Sequence, residues 1–491
     1  MQQELITIKT LFGFEEILKE ELIELGYNNI EILNRAVRIK GTWEDVYRLN
    51  FRCRLAISVL VEIKTFFIHK EDDLYKEARK IDWTSYFKLD KTFAVKGAVF
   101  SNFFKHTQFP MLLIKDAIAD TFRDKYNERP DVNIKSPQVM FDVYIKDKTV
   151  TISLNTSGLP LFQRGYRQET GEAPMNEVLA AGLLRLSGWD KKSTLIDPMC
   201  GSGTIAIEAA LLAADIPAMI ERTHYAFKNF NSFDEEIWEK VRNEANNRPK
   251  NLGFDIFAYD IDAEMVQKAK RNSRMAPIGN MVSFGRQDFL TLEAPVEKGT
   301  IICNPPYGER IGEDVSELYQ GIGDHLKHAF SGYNCWLISS NEEALKNIGL
   351  KPSQKMKVFN GNLECSFRQY SMFEGSFKEF KEGKEGDKEK PLIPIKDKKE
   401  IHTPKQADTS RLKEKEKTSK SRTNTNQGNN KYSFSEKPKN LKEPKSEIQK
   451  ESETKIRKEA TKKEEITPIL PKQSDKYSFK DKIEELKKER K

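Results

Sequence analysis

Apolar and polar residues alternate over 3–10, and FEEILKEELIELG (14–26) then carries apolar residues at helical spacing up to Gly26, a stop signal. Strand-like runs follow at 29–40 and 57–67, which together predict a small α+β region. From Asp72 to Gly158 the pattern predicts short strands (FAVKGAVF, QVMFDVYIKD, TVTISLN) around one helix, MLLIKDAIADTFRDKY, whose Lys115, Arg123 and Lys125 give it a basic side. That side is either a binding face or solvated surface, and by charge alone solvated surface is the commoner case. The stretch GLPLFQRGYRQETGEAP (158–174) reads as a connector and places a domain boundary. Helices and apolar strands then alternate: helix 176–187, strand 194–197, helix 204–214, strand 255–260, helix 263–273, strands 281–284 and 300–303, helix 315–329 and strand 334–340. This alternation predicts an α/β domain with a doubly wound, mostly parallel sheet. The runs 355–359 and 364–373, joined by NGN, add a terminal antiparallel hairpin. An insertion at 215–253 carries Phe227, Phe230, Phe233 and Trp238; its aromatics either line a cleft or, more commonly, pack as an amphipathic helix against the sheet.

Composition changes this picture in one place. Across 491 residues the chain is 32% charged and 38% hydrophobic, with a net charge of +7. Residues 381–491 alone hold 33 Lys+Arg against 22 Asp+Glu, so the excess positive charge lies in that tail. From 379 onward the chain is too polar to bury a core, which predicts disorder. The tetrapeptide KYSF occurs twice there, at 431–434 and 476–479, and is either a docking element or chance in biased sequence. No run approaches the length of a membrane span and Met1 to Thr10 has no secretory pattern, which predicts a soluble, cytoplasmic protein. Five cysteines without a C-x-x-C pair suggest reduced thiols and no metal knuckle, and His325 and His328 lack an acidic or thiol partner that would make them ligands.

Four strand ends carry candidate chemistry. In LIDPMCGSGTIAIEAA (195–210) an apolar strand ends at Asp197, and Gly201 and Gly203 open a turn into a helix whose free N–H groups face a ligand. GSGTIA also fits G-x-G-x-x-A, so a dinucleotide site competes at this point. In FAYDIDAEMVQKAKRN (257–272) Asp260 ends a second strand, where a ribose diol can donate two hydrogen bonds, and Asp262 reads as a helix N-cap. Asp288 in GRQDF follows a third strand and is either a turn former or an acceptor for an adenine amine. In TIICNPPYGER (300–310) Asn304, Pro305, Pro306 and Tyr307 follow a fourth. The prolines remove backbone donors, leaving the Asn304 side-chain oxygen and the Pro305 carbonyl as acceptors for a conjugated NH2, with Tyr307 as a flat face.

DPMCGSG, YDID, QDF and NPPYGER in this order resemble the class I S-adenosylmethionine-dependent methyltransferases that act on exocyclic amines. Upstream, IDW, KDAIADTFRDKY and VTISLNTSGLPLFQRGYR followed by GEAPMNEVLAAGLLRLSGWD resemble a THUMP RNA-binding domain joined to its catalytic partner; residues 1–375 are similar to the N-terminal half of the bacterial large-subunit ribosomal RNA guanine-N2 methyltransferases. The resemblance implies a ferredoxin-like α+β region at 1–55, a THUMP domain at 56–157, a linker at 158–175, a Rossmann-like methyltransferase domain at 176–378 and a basic tail at 379–491. It implies that Asp197, Gly201 and Gly203 surround the methionine part of S-adenosylmethionine, that Asp260 holds its ribose and Asp288 its adenine, and that Asn304 to Tyr307 grip a guanine amine. Lys105, Lys115 and Arg123 are the candidate RNA contacts; ribosomal RNA is the expected partner, with no membrane and no obligatory protein partner. Family members can continue into a second methyltransferase; this sequence has no second glycine motif, and a single activity is expected. Other amine methyltransferases acting on tRNA, DNA or protein glutamine, and a ribosome-assembly RNA-binding factor, are the competing readings.

Overall fold

The alternation at 3–10 forms β1 (Glu4–Lys9), which buries Ile6 and Ile8. The helical run becomes α1 (Glu15–Glu24), followed by β2 (Glu31–Leu33), β3 (Ala36–Gly41), α2 (Trp43–Arg52) and β4 (Ser58–Phe67). Next come α3 (Glu71–Arg79), β5 (Phe93–Phe100), α4 (Phe109–Tyr126), β6 (Val139–Lys146) and β7 (Thr149–Asn155). This computed structural model describes residues 3–104, 106–169, 175–246, 252–307 and 314–373; Lys105, and the tail at 379–491 with both KYSF elements, lie outside the described residues.

These seven strands form one sheet, in the order β2-β3-β1-β4-β7-β6-β5. The sheet continues across the 55/56 boundary, because β4 pairs antiparallel with β1 on one side (Ile6 opposite Val61) and with β7 on the other (Phe66 opposite Val150). Two helices differ from the sequence reading. In α2 a Thr42–Asp45 capping box, with the Asp45 carboxylate accepting the Thr42 N–H at 2.7 Å, starts a helix between the two strand-like runs. The Asp72–Gly158 stretch holds α3 as well as α4; α3 buries only Leu74 and Ala78, too little to leave a strong apolar period.

The second sheet has the expected doubly wound form. Its elements are α5 (Glu177–Leu186), β8 (Leu195–Asp197), α6 (Thr204–Ala213), α7 (Glu235–Asn246), β9 (Ile256–Asp260), α8 (Ala263–Met275), β10 (Val282–Arg286) and β11 (Thr300–Cys303). They are followed by α9 (Asp314–Ala329), β12 (Asn334–Ser339), α10 (Glu342–Asn347), β13 (Gln354–Asn360) and β14 (Leu363–Ser371). The order is β10-β9-β8-β11-β12-β14-β13, parallel through β12 and closed by the antiparallel β13–β14 hairpin. The order reverses at β8, which lies between β9 and β11, and a crevice opens there beyond the strand C-termini. All five cysteines are free and buried.

Two segments between the sheets are packed more tightly than a connector and an insertion need to be. In the 158–169 part of the connector, Arg164 is fully buried: its Nη1 donates to the Leu161 carbonyl (3.0 Å), its Nη2 to the Arg54 carbonyl (2.6 Å), and its Nε pairs with Glu208 of α6 (3.3 Å). The Tyr166 hydroxyl donates to the same Glu208 oxygen at 3.0 Å. Removing one partner of such a pair strands a buried charge and costs roughly 3–5 kcal/mol. The aromatics of the insertion do pack, but against the N-terminal region and not against the second sheet. Tyr47 of α2 lies 4.7 Å from Phe227 and 6.1 Å from Trp238, and Phe51 lies 5.6 Å from Trp238, ring centre to ring centre. The insertion, which leaves and re-enters the second sheet's fold, therefore fastens the upstream sheet to the second one.

Candidate functional site

A cleft of about 430 Å³ lies at the C-terminal ends of β8, β9 and β11, and Asp197, Gly201, Asp260, Asp288, Asn304 and Pro306 all line it, whereas Gly203, Pro305 and Tyr307 are not among its lining residues. The chain reaches this convergence through local turns. After Asp197 the backbone turns through Cys200, whose N–H donates to the Tyr259 carbonyl of β9 (2.8 Å). Gly201 (φ +51°) and Gly203 (φ +85°) both occupy the left-handed region that side chains disfavour. At Gly203 a Cβ would also lie 3.0 Å from the Ala269 Cβ, so a larger residue would press on α8 as well as strain the turn. Gly203 is the N-cap of α6, leaving the first N–H groups of that helix beside the cleft.

Asp260 ties the two halves of the cleft together. Its Oδ2 accepts the Gly201 N–H (2.8 Å) and its Oδ1 accepts the Asp262 N–H (2.9 Å), which leaves each oxygen one further lone pair. Asp262 caps α8 through the Glu264 N–H (2.7 Å), the role read for it in the sequence. Asp288 accepts the Leu290 N–H at 3.0 Å, so it is the turn former of the short Phe289–Thr291 helix as well as a cleft residue.

Asp197 differs from both. It is 1% exposed; neither carboxylate oxygen makes a hydrogen bond of normal geometry among the described residues, and the Met199 backbone N–H offsets its burial only in part. Burial, followed by the negative charge of Asp260, pushes its carboxyl well above the ordinary range. A buried carboxyl with so little donation is expensive alone and suited to a cationic ligand. Burial likewise pushes the neighbouring Cys200 and Cys303 thiols well up, so neither is a thiolate nucleophile.

The second orphan acceptor is Asn304, whose buried Oδ1 also has no partner among the described residues. The loop that carries it is held from behind. Asn360 of β13 donates to the Tyr307 hydroxyl (3.0 Å), and burial pushes that phenol up to about 12. The Tyr319 hydroxyl of α9 donates to Ser339 Oγ (2.8 Å) beneath the Pro306 carbonyl. Sequence reasoning missed both supports: Asn360 reads only as a hairpin residue, and Tyr319 has no local signal. It also missed Arg167, which donates to Glu177 Oε1 and to Thr204 Oγ1, each at 2.8 Å, beside the glycine turn.

The remaining candidates stand apart. Lys115 pairs with Asp116 (2.6 Å) and Arg123 with Asp120, so these two cations of α4 are neutralised by carboxylates on their own helix. The His325 ring nitrogen Nε2 lies 2.9 Å from the Leu292 carbonyl, and its ring packs edge-on against Phe289. Among the described residues no helix is long and apolar enough to cross a membrane.

The three parts match three family models: an RlmL ferredoxin-like domain over 6–60, a THUMP domain over 69–155, and an RMKL-like methyltransferase domain over 164–369. The chain is also 30% identical to the crystal structure titled a possible methylase from Clostridium difficile 630, with a TM-score of 0.70 over 76% of this chain and 100% of that one. This chain belongs to the THUMP-containing RMKL-like methyltransferase family. A relative within the family, the ribosomal RNA large subunit methyltransferase K/L of Shewanella baltica, is 38% identical over 371 residues, which are 74% of this chain and 52% of that protein. The chain thus spans about half the length of the K/L relatives it matches. SMU.472, a candidate methyltransferase crystallised with SAH, is 25% identical with a TM-score of 0.68 over 77% of this chain and all of its own. The RMKL-like model begins at Arg164, inside the connector, where the buried contacts to α6 begin.

Proposed function

We propose that this chain transfers a methyl group from S-adenosylmethionine to the exocyclic N2 of a guanine in large-subunit ribosomal RNA. The observation that carries the reading is the pair of orphan acceptors in one cleft: a buried carboxyl at Asp197 for a cationic cofactor and a buried amide oxygen at Asn304 for an NH2 group. A sulfonium bearing an amino acid, a ribose diol and an adenine would be met by Asp197, Asp260 and Asp288, which all line the cleft. S-adenosylmethionine supplies an electrophilic methyl whose C–S bond breaks as the new N–C bond forms. The chain's own residues orient the nucleophile. Asn304 Oδ1 and the Pro305 carbonyl accept the two N2 protons, which directs the nitrogen lone pair toward the methyl, and Tyr307, fixed by Asn360, offers a face for the base. No strong base is required, because the amine becomes acidic once alkylated and releases its proton to water. Orientation of this kind accounts for roughly 7–11 kcal/mol of barrier lowering.

The upstream sheet captures the RNA in this proposal, and the reaction takes place where ribosomal RNA is found, in the cytoplasm. The test is methyl transfer by the purified full chain from methyl-labelled S-adenosylmethionine to deproteinised large-subunit RNA, small-subunit RNA, tRNA and duplex DNA. Label is expected in large-subunit RNA. Label confined to tRNA or DNA would reassign the substrate.

A further inference from the structure

Resting on the reading that RNA is the substrate, we propose that the open face of the upstream sheet, carrying Phe67, Phe100 and Tyr144, is a stacking platform for unpaired RNA bases. The α4 surface, where Lys115 and Arg123 are paired with carboxylates of their own helix, is not the platform.

The face follows from strand alternation. In β6, Phe141, Val143 and Ile145 point into the core, where Phe141 meets Trp83 and Phe87, so Tyr144 and Lys146 point the other way. In β5, Phe93 meets Phe87 in the core and Val95 and Val99 pack against that core, which sends Lys96 and Phe100 to the opposite face. The register joins these residues into a row: Phe67 lies opposite Thr149, Thr149 opposite Lys146, and Lys146 opposite Phe100. Three strand spacings put Phe67 about 14 Å from Phe100.

Exposure separates these rings from core aromatics. Phe67 is 68% exposed, Phe100 59% and Tyr144 42%, and Phe100 and Tyr144 form a pair 5.8 Å apart. Single exposed aromatics are unremarkable, but here three share one face, Phe100 and Tyr144 in contact and Phe67 across β7 from them. Its charge suits a polyanion. Two carboxylates on this face are both paired, Asp142 with Lys9 (2.7 Å) and Glu62 with Arg38 (3.9 Å), whereas Lys96 and Lys146 have no ion-pair partner among the described residues. Flat rings for bases, with flanking ammonium groups for phosphates, are the features that sheet-type single-strand readers use, and the span holds two or three bases.

The experiment is fluorescence anisotropy of the full chain with a labelled unpaired oligoribonucleotide and with an RNA hairpin of the same composition. Phe67→Ala and Tyr144→Ala should each weaken binding of the unpaired probe about ten-fold, with Tyr144→Phe close to wild type. Lys115→Ala should change little, and binding of the hairpin stem should fall less. Both alanine variants binding the unpaired probe like wild type would overturn the platform, as would equal losses for paired and unpaired probes. Methyl transfer distinguishes the two proposals: a wild type that methylates RNA while the platform variants bind normally leaves the catalytic reading standing. A wild type that binds the probe through these rings but methylates no RNA does the reverse.

Discussion

Asp197→Asn should flatten the pH dependence of stability of the cofactor-free protein and weaken S-adenosylmethionine binding roughly 10–100-fold. Both effects come from one feature, a carboxyl that is 1% exposed, without a side-chain hydrogen-bond partner among the described residues and beside the Asp260 charge. Its folded-state pKa is raised, so the folded protein holds this proton more tightly than the unfolded chain does. Its contribution is therefore present in full below the unfolded value near 3.8 and is lost as pH rises toward the raised folded value. Asparagine cannot ionise, so the melting-temperature advantage of the variant widens with pH. A cationic ligand reverses the preference by favouring the carboxylate, so wild type releases a proton on binding and its affinity climbs with pH. Thermal melts across pH, paired with calorimetry of cofactor binding, measure both. Superimposable pH profiles with unchanged affinity would remove Asp197 from the cofactor site.

Asn304→Ala should lower turnover about a hundred-fold or more while cofactor affinity stays within about two-fold. The side chain supplies the buried acceptor Oδ1, and the loop around it stays held by Asn360 against Tyr307 and by Tyr319 with Ser339 beneath Pro306. Losing the acceptor therefore leaves the loop in place and removes only the orientation of the amine. Single-turnover rates with saturating cofactor, together with direct titration of the cofactor, separate the two quantities. A parallel fall in rate and cofactor affinity would mean that Asn304 helps hold the cofactor and does not orient the base.

The catalytic sheet was legible because four of its five parallel strands are short runs that end in their own chemical signal. Asp197, Asp260, Asp288 and Asn304 are local strand-end residues, and the doubly wound order brings them to one cleft. Long-range pairings were not legible. Nothing local says that β4 pairs with both β1 and β7, or that Trp238 packs on Tyr47 and Phe51 of a segment almost two hundred residues earlier. The supports of the NPPY loop come from distant elements for the same reason, as does the Arg164–Glu208 pair. Other misses did leave a trace. The Thr42–Asp45 spacing announces α2, and Asp116 beside Lys115 and Asp120 three residues before Arg123 announce the neutralisation of those cations.

The most direct test is mass spectrometry of nucleosides from 23S ribosomal RNA, comparing a strain lacking this chain with the same strain rescued by wild type or by Asn304→Ala. The account predicts loss of an N2-methylguanosine that wild type restores and Asn304→Ala does not. An unchanged N2-methylguanosine level in the deletion strain, or full restoration by Asn304→Ala, would contradict it.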